Sequence, residues 1–364
     1  MLLLFIMTGM LEALLVLEDG TVIRGKGFGS VGEVVGEVVF NTSMMGYTEI
    51  LTDPSNKGLI VLFTSPSIGN CAVPPAFESE TIQAEGVIVK EACKEPHHWQ
   101  SDKTLAKWFE ENGAPGIEGI DTRQLTRKIT KDKTMSAVLS VYKEEPDISE
   151  LIERACQFDL SKIDLVSQVS THRSKYFDVG GKHTVSLLDC GIRKSLVREL
   201  NQRSINVMVK PPSSSTKEIM EADPDALMIS GGPGDPSILS YAIETIRELM
   251  HEIPIFGMGI GYQIIALASG AKIFKMRFGH RGNQPVKDIE SGRIHITSQN
   301  HGYAIDASSL DEGLKVTKIN ANDRTVEGIS HEELPIMAVQ YHPEVGFDNK
   351  YLFDKFVGLM EEYA

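Results

Sequence analysis

Residues 254–263 read PIFGMGIGYQ, a pattern typical of a turn that presents a catalytic nucleophile. The apolar run predicts a strand, the glycines a tight turn, and the following residues the start of a helix. In an elbow of the form Gly-x-nucleophile-x-Gly, the central residue has a strained backbone at a helix N-terminus, where a thiolate or alkoxide is stabilised. Gly257, Gly259 and Gly261 keep this spacing. Because Gly259 has no side chain, the sequence predicts a nucleophile elbow without its nucleophile.

Two other interpretations of this glycine-rich turn remain open. A dinucleotide-binding fingerprint needs GxGxxG after the first strand of its unit and an acidic residue about twenty positions further on. Here the spacing is GxGxG, and the residue at that distance is His280. A purely structural turn is the second alternative, since glycine accepts strained backbone angles most easily. The sequence favours an altered elbow over both.

Two further segments contain groups that could take part in the same chemistry. His342-Pro343-Glu344 follows the apolar run PIMAVQY, so an imidazole and a carboxylate can emerge together at the end of a strand. Taken alone, such a histidine is more often structural than catalytic. Residues 230–236, SGGPGDP, lack the Lys-Ser/Thr pair of a phosphate-binding P-loop and would be a generic turn on most chains. Both segments gain significance only in combination with the elbow.

The elements around these segments alternate between strand and helix. TVSLLDC, INVMVK, ALMIS and PIFG have apolar strand patterns, and helical patterns cover residues 193–203 and about 237–252. Ser215-Thr216-Lys217-Glu218 is a capping box that begins another helix. Such alternation requires parallel strands with right-handed crossovers, which predicts a doubly wound, largely parallel sheet. Because the 230–236 loop and the elbow both follow strands directly, we expect them at the carboxyl edge of this sheet.

The first half of the chain has a different pattern. From Leu14 to about Val141, short β-branched strands are separated by Gly, Pro, Asn and Asp turns, which predicts a β-rich domain. The turn-rich Gly180-Gly181 marks the expected boundary. We therefore predict an α/β protein with an N-terminal domain and linker over residues 1–181 and a C-terminal domain over residues 182–364.

The N-terminal run MLLLFIMTGMLEALLVLEDG is apolar, but it lacks the basic region and the cleavage site of a secretion signal. Met10 is a plausible alternative start, because the residues after it already complete the first predicted strand. No stretch reaches the roughly 18 consecutive apolar residues of a membrane-spanning helix. We expect neither a signal peptide nor a membrane anchor.

Composition limits the partners of this chain of 364 residues. A net charge of −14 argues against nucleic acid or an anionic membrane and favours a small-molecule or protein partner. Cys71, Cys93, Cys156 and Cys190 lie far apart with no CxxC pair, so we expect no disulfide framework and no metal site. This cysteine usage predicts a reducing, cytoplasmic location.

Together, the three segments resemble the class I, or triad, glutamine amidotransferases, whose elbow reads Gly-x-Cys-x-Gly-His-Gln. The first half resembles the N-terminal domain of the small subunit of carbamoyl-phosphate synthetase, which other amidotransferases lack. The segments that match this branch are 40–44, 46–47, 49–55, 67–70, 119–123, 268–272, 278–280 and 299–303. The likeness therefore covers the chain from about Leu11 to Tyr363.

The resemblance implies a role for individual positions. Gly259 stands where the family has its nucleophilic cysteine, His342 would be the general base and acid, and Glu344 would orient the imidazole. The amides of Gly232 and Ile260 would donate to the oxyanion. Contacts to glutamine would come from Ser55, Gly232, Gly234, Ile260, Gln263, Asn300, Gly302 and Tyr303, the last at a position where phenylalanine is common.

Chains of this family hydrolyse glutamine through a cysteinyl thioester. The ammonia passes to a large ATP-using subunit, which makes carbamoyl phosphate from bicarbonate for arginine and pyrimidine biosynthesis. The resemblance therefore implies glutamine as ligand, the large subunit as partner in a heterodimer, no cofactor on this chain, and ATP, Mg²⁺ and bicarbonate on the large subunit. Without a thiol at Gly259, we expect impaired glutaminase activity. The alternative is a non-catalytic stabilising or regulatory subunit of an ammonia-dependent synthetase.

Other departures from the family pattern accompany Gly259. Met258 precedes the elbow, Tyr262 stands where histidine is usual, and the loop 278–286 looks one residue shorter than expected. We expect these changes to cluster around the same pocket. Cys190 and Cys71 are the candidates to replace the missing thiol, but neither lies in an elbow or at a predicted helix start, so the sequence does not favour rescue.

Overall fold

The computed structural model describes residues 11–99, 103–310, 313–346 and 348–363. Within them the chain forms two compact units. The first contains the described residues up to Leu51, with Gly58–Ala76 and Ala84–Asp159, and the second contains Thr52–Lys57, Phe77–Gln83 and the described residues from Leu160 onward. No single cut separates the units, so the boundary at Gly181 stays a prediction. The expectations for the signal peptide and the Met10 start concern residues 1–10, which lie outside the described residues.

The first unit is built on a closed β-barrel. Its described strands are β1 (Glu12–Leu17), β2 (Val22–Gly29), β3 (Gly32–Asn41), β4 (Leu59–Phe63), β5 (Gly86–Ile88), β6 (Pro115–Glu118) and β7 (Met135–Tyr142). They follow the order β1-β2-β6-β5-β4-β3-β7, and β7 pairs with β1 to close the barrel. The helices in this half are α1 (Tyr47–Thr52), α2 (Leu105–Glu111), α3 (Thr122–Lys131) and α4 (Ile148–Gln157).

Alternation along β1 explains how the barrel wall buries both of its faces. Leu15 and Leu17 point into one apolar cluster within the barrel, whereas Leu14 and Val16 pack on the other side, where α4 contributes Leu151. Successive side chains of a strand point to opposite faces, so an uninterrupted apolar run is needed where both faces are covered. This arrangement confirms the predicted β-rich N-terminal domain.

The second unit alternates between helices and strands. Its helices are α5 (Val166–Val169), α6 (Lys194–Gln202), α7 (Thr216–Met220), α8 (Ser240–Leu249), α9 (Ile260–Ala268) and α10 (Tyr351–Tyr363). Its strands are β8 (Lys175–Phe177), β9 (His183–Leu188), β10 (Ile205–Lys210), β11 (Ala226–Ile229), β12 (Ile255–Met258), β13 (Ile273–Asp288), β14 (Ile294–Ile305), β15 (Leu314–Asn320), β16 (Val326–His331) and β17 (Ile336–Val339). The capping box predicted at Ser215 begins α7.

These strands form one sheet in the order β14-β13-β15-β16-β17-β12-β11-β9-β10-β8. The segment β10-β9-β11-β12-β17 is parallel, as predicted for the strands next to the elbow. Beyond it, β16, β15, β13 and β14 pair antiparallel, and β8 adds an antiparallel edge to β10. The predicted doubly wound α/β sheet is therefore confirmed around the elbow, and the sheet as a whole is mixed.

Helices cover both faces of the parallel segment. α8 and α9 contribute Ile246 and Ile264 to the apolar cluster on one face. α6 and α10 contribute Leu200 and Phe353 to the cluster on the other face. Because both faces are covered, functional groups can reach solvent only at the strand ends. No helix among the described residues has the length and apolar character needed to cross a lipid bilayer.

Candidate active site

Gly259 lies between the end of β12 and the first residue of α9. Its φ of +54° and ψ of −118° lie in a backbone region that residues with a side chain rarely adopt. A Cβ atom at this position would lie 3.1 Å from the Gly231 Cα and 3.9 Å from the His342 Cε1. A side chain at position 259 would therefore point at the imidazole of His342, as a nucleophile does in an elbow. The altered-elbow hypothesis agrees with this geometry.

The loop after β11 passes close to the elbow. A Cβ atom on Gly232 would lie 2.0 Å from the carbonyl oxygen of Cys190 and 3.2 Å from the Ile260 Cγ2, so only glycine fits there. Ile260 is the first residue of α9, where helical N–H groups lack partners within the helix. Within the described residues, neither the Gly232 nor the Ile260 N–H donates to another protein atom. Both donors predicted for an oxyanion are thus available.

His342 and Glu344 follow β17 and form the expected pair. The His342 Nδ1 lies 3.0 Å from the Glu344 Oε1, and both side chains are buried. The His342 backbone N–H donates to the Ser298 carbonyl oxygen at 3.0 Å, which ties this segment to β14. A carboxylate at Nδ1 leaves Nε2 as the nitrogen that can exchange a proton with a ligand.

A buried arginine, which the sequence did not indicate, supports this pair. The Arg193 Nη2 lies 2.9 Å from the Glu78 Oε1, and Nη1 lies 3.8 Å from both the Asp53 Oδ2 and the Glu344 Oε1. Burial by itself would raise the pKa of the Glu344 carboxyl, but His342 and Arg193 together hold that pKa below its ordinary value. Glu344 is therefore an anion that can stabilise a protonated imidazole.

The same cluster positions a turn that carries one of the predicted glutamine contacts. The Asp53 carboxylate accepts a hydrogen bond from the Ser55 N–H at 2.9 Å and thereby caps the short 3₁₀ turn Pro54–Asn56. The Asn56 Oδ1 accepts a hydrogen bond from the Asn300 Nδ2 at 3.0 Å. The structure therefore brings Ser55 and Asn300 together, although they are far apart in the sequence.

Ser55 and Asn300 each present a polar atom without a protein partner. The Ser55 Oγ and the Asn300 Oδ1 are buried, and neither has a hydrogen-bond partner among the described residues. Buried polar atoms are nearly always paired, so two unpaired atoms in one place indicate a position where a ligand binds. The Ser55 hydroxyl can donate to the carboxylate of an amino acid, and the Asn300 amide oxygen can accept from its charged amino group.

Gln263 and Tyr303 meet on the buried side of β14. The Gln263 Nε2 donates to the Tyr303 carbonyl oxygen at 3.0 Å and to the Gln340 Oε1 at 2.8 Å. The His301 Nδ1 lies 2.8 Å from the same Tyr303 carbonyl oxygen. Gln263 thus fixes the backbone of the strand that also carries Asn300 and Gly302.

Two predicted contacts have neighbours outside this group. A Cβ atom on Gly234, whose φ is +88°, would lie nearest to Leu165, at 3.7 Å. A Cβ atom on Gly302 would lie 3.6 Å from the Arg281 Nη2. The geometry brings Gly259, Ile260, Gly232 and His342 together directly, and it does not do so for Gly234 and Gly302. The roles of all six residues stay predictions.

Two of the other departures from the family pattern, Met258 and Tyr262, lie in the interior. Met258 belongs to the apolar cluster that also contains Phe256. The buried Tyr262 hydroxyl donates to the Val326 carbonyl oxygen at 2.9 Å, so this residue has a structural partner. Residues 278–286 form part of β13 and not a loop, with a register shift between Lys275 and His280. The expectation of a loop there was wrong, because pairing with β14 continues beyond that irregularity.

Cys190 does not supply a replacement thiol in this geometry. It is fully buried, and burial raises the pKa of its thiol far above the ordinary value, which disfavours the reactive thiolate. The Cys190 atom nearest to a Cβ atom on Gly232 would be its carbonyl oxygen, at 2.0 Å. Cys71 belongs to the first unit and is partly exposed.

One group of described residues has donor atoms close enough together to consider a metal ion. His280, His301 and Glu327 are buried, and one ligand atom of each lies within 4.8 Å of the others. Both ring nitrogens of His301 already face oxygens, at 2.8 Å in Tyr303 and 2.9 Å in Gln299. A metal ion would have to replace one of these contacts, so the geometry favours a hydrogen-bonded network.

Comparison with known proteins agrees with the predicted family and fold. The family model described as "Carbamoyl-phosphate synthase small chain, CPSase domain" matches residues 15–139, and "Glutamine amidotransferase class-I" matches residues 186–359. The carbamoyl phosphate synthase small chain of Archaeoglobus fulgidus is 46% identical over 359 residues, which cover 97% of this chain and 100% of that protein. The chain belongs to the carbamoyl-phosphate synthase small chain family.

A second small chain of this family, from Methanopyrus kandleri, is 45% identical over 362 residues, covering 97% of this chain and 100% of its own. A solved glutamine amidotransferase from Thermotoga maritima has a TM-score of 0.38 and 17% identity over 50% of this chain and 90% of its own. In this small chain, Gly259, His342 and Glu344 lie within the amidotransferase match, and Ser55 within the small-chain match.

Proposed function

We propose that this chain is the glutamine-binding small subunit of a carbamoyl-phosphate synthase and that its own glutaminase step is blocked at position 259. It would form a heterodimer with a large subunit that binds ATP, Mg²⁺ and bicarbonate, in the cytoplasm. Membership of the small chain family supports this assignment, as does the pairing of a buried His-Glu couple with two free backbone donors.

Each part of the site would have a defined task. The carbonyl oxygen of the glutamine side chain would accept hydrogen bonds from the Gly232 and Ile260 N–H groups, which suit an oxygen that gains negative charge. His342 would face the side-chain amide, and Glu344 would hold its ring. Ser55 and Asn300 would contact the amino acid end of glutamine.

The observation that carries the proposal is the backbone of Gly259. A Cβ atom on Gly259 would lie 3.9 Å from the His342 Cε1, so the side chain that is absent here would have pointed at the imidazole. The family's chemistry needs a thiol at this point to form an acyl-enzyme. Loss of a triad nucleophile lowers turnover by about 10⁶, while the remaining donors still give some catalysis over water.

Glutamate release tests this proposal. The purified chain, combined with a large subunit, is expected to release glutamate from glutamine at a rate only about 10³–10⁴-fold above that of the uncatalysed reaction with water. Gly259→Cys is expected to raise the rate by at least about 10³, since the base and the oxyanion donors are in place. Rapid release by the unaltered complex, abolished by His342→Ala, would show that another group replaces the thiol and would contradict the blocked step.

The same glycine favours a second candidate, a non-catalytic subunit that stabilises or regulates a synthetase supplied with free ammonia. In that case ammonia-supported carbamoyl phosphate synthesis should depend on this chain, and glutamine-supported synthesis should be absent. Synthesis from ammonia that is equal with and without the chain would exclude this second candidate.

A further inference from the structure

The backbone of the elbow is arranged to bind an anion, but position 259 has no side chain that could carry a negative charge. α9 has nine residues, and its N-terminal end lies at Gly259, next to the N–H groups of Ile260 and Gly232. The N-terminus of a helix carries a partial positive charge and favours a negative group. In an elbow that carries cysteine, the thiolate lies next to this partial positive charge, whereas Gly259 places no side chain there.

His342 provides a second and independent indication of a ligand. Its side chain is 3% exposed and its Nδ1 is held by Glu344, while its Nε2 has no hydrogen-bond partner among the described residues. A Cβ atom on Gly231 would lie 2.8 Å from the His342 Cε1, 3.6 Å from Nδ1 and 3.7 Å from Nε2. The Cε1 corner of the ring therefore faces the glycine loop and the elbow, and the unpaired Nε2 next to it is available to a ligand. The buried Ser55 Oγ and Asn300 Oδ1, which have no hydrogen-bond partner among the described residues, also indicate a ligand here.

We propose that this site binds glutamate, with the γ-carboxylate in the space that a thiolate would fill. One carboxylate oxygen would accept from the Gly232 and Ile260 N–H groups, and the other from a proton on the His342 Nε2. Charge-assisted hydrogen bonds of this kind are about twice as strong as neutral ones. The inference rests on the proposed function, because it uses the same amino acid site.

Protonation separates glutamate from glutamine. With its Nδ1–H directed at Glu344, a neutral His342 has a bare Nε2, which can accept from the amide nitrogen of glutamine. A carboxylate in that place requires a proton on Nε2, so glutamate binding takes up a proton and glutamine binding does not. The charged or titratable groups that act on His342 are Glu344, with Arg193 behind it, and His301.

The negative charges near the site are grouped around one cation. Arg193 is held by Glu78 and lies 3.8 Å from both Asp53 and Glu344. The γ-carboxylate would therefore meet the His342 imidazole and not a bare acidic cluster.

Calorimetric titration of the full chain, alone and with its large subunit, tests this inference. Glutamate and glutamine are titrated separately in two buffers of different ionisation enthalpy, which reveals proton uptake. We expect glutamate to bind at least as tightly as glutamine, with about one proton taken up for glutamate alone. The γ-methyl ester of glutamate, which has no γ-charge, should bind at least about tenfold more weakly than glutamate.

Variants at position 259 distinguish the effect of a negative charge there from the effect of a bulkier side chain. Gly259→Cys restores a group that can ionise, and it should weaken glutamate binding, measured as product inhibition, by about tenfold or more. Gly259→Ala adds a Cβ without a thiol and isolates the steric part. His342→Asn should weaken glutamate more than glutamine, with the exposed His251→Asn as a matched control that changes neither.

Four results would overturn the inference. Glutamine binding without glutamate binding would refute it and leave the proposed function intact. Equal glutamate affinity in the parent chain and Gly259→Cys, or glutamate binding without proton uptake, would place the γ-carboxylate elsewhere. Failure of a folded chain, checked by its thermal unfolding, to bind either amino acid would refute both the inference and the proposed function.

Discussion

Position 259 combines two opposing requirements in a single residue. Its φ of +54° suits glycine, and a Cβ would lie 3.1 Å from the Gly231 Cα, which is a tight contact. A nucleophile at this position must accept that strain, because the strained turn is what directs its side chain at the base. The chain has the relaxed residue and has lost the reactive atom.

A stability measurement tests this opposition. Gly259→Cys and Gly259→Ala should each lower the free energy of unfolding by about 1–3 kcal/mol, because both place a Cβ in an unfavourable backbone conformation. Urea denaturation of the parent and both variants gives the values. Only the cysteine variant should gain glutaminase activity. If alanine were neutral while cysteine was costly, the thiol and not the backbone would be the source of the strain.

Single residues also show what sequence reasoning can and cannot find. Gly259, His342 and Glu344 were predicted from short motifs, because an elbow and a His-x-Glu pair are local in sequence. Arg193 was missed, since its partners Glu78 and Asp53 come from distant parts of the chain and form no motif. The Asp-Pro-Ser sequence at residues 53–55 was one available signal, because an acidic residue before proline caps a turn.

At the scale of elements, Arg193 joins the loop before α6 to the turn at residues 54–56 and to the segment after β17. Arg193→Met should lower the free energy of unfolding by about 3 kcal/mol or more at neutral pH, because it leaves buried carboxylates without a cation. Chemical denaturation measures this, with the exposed Arg198→Met on α6 as the control. A loss no larger than that of the control would contradict the prediction.

The pH dependence of this loss follows from Glu344. Its pKa is lowered in the folded chain, so its ionised form contributes stability above the ordinary value of 4.5, and this contribution is lost as pH falls. Without Arg193 the pKa of Glu344 should rise, and the stability that ionised Glu344 contributes should shrink. The difference in the free energy of unfolding between the parent chain and Arg193→Met should therefore narrow as pH falls toward 4.5 and below.

The hairpin of β13 and β14 contains a second titrating element. Burial alone would lower the pKa of His280, but Glu327 at 3.2 Å and Asp323 at 2.8 Å raise it above 6.5. A raised pKa gives stability that is complete below 6.5 and is lost as pH rises through the folded value. The pKa of His301 is lowered by burial and by His280. This residue therefore lowers the free energy of unfolding as pH falls below 6.5.

The free energy of unfolding measured above pH 6.5 therefore separates the contribution of His280 from that of His301. The parent chain should lose stability with rising pH at a slope of up to about 1.4 kcal/mol per pH unit from this residue. His280→Asn should remove that slope, whereas the exposed His251→Asn should keep it. An unchanged slope in His280→Asn would show that another group titrates in this range.

Element prediction had a clear physical limit. The parallel strands β9 to β12 were predicted because each is a buried apolar run joined to the next by a helix. In β13 and β14, exposed residues such as Phe274 and Ile294 interrupt the expected alternation, so strand pairing there depends on tertiary neighbours. The antiparallel part of the sheet was therefore not predicted.

At the scale of the whole molecule, the second unit takes two segments from the first half of the chain, Thr52–Lys57 and Phe77–Gln83. A chain of residues 182–364 lacks Asp53, Ser55 and Glu78, although it contains the elbow and His342. We expect it to be less stable than the full chain and to bind glutamine at least about a hundredfold more weakly, since a buried cation and a ligand contact lose their partners.

Thermal unfolding and calorimetry of this shortened chain, compared with the full chain, measure both effects. The comparison is informative only for a shortened chain that retains helical and sheet structure by circular dichroism. Glutamine affinity within about threefold of the full chain would mean that the early segments are dispensable for the site.

The interleaved segments also have a consequence for synthesis on the ribosome. Asp53 and Glu78 are made early, whereas Arg193, Gly259 and Glu344 follow much later in the chain. At about 5–20 residues per second, the early acidic groups wait on the order of ten seconds for the cation of Arg193. They remain hydrated during that time, since a carboxylate without a cation is not buried. A chain that ends before Arg193 therefore carries no part of this charge cluster, and glutamine binding begins only when translation has passed His342 and Glu344 and is almost complete.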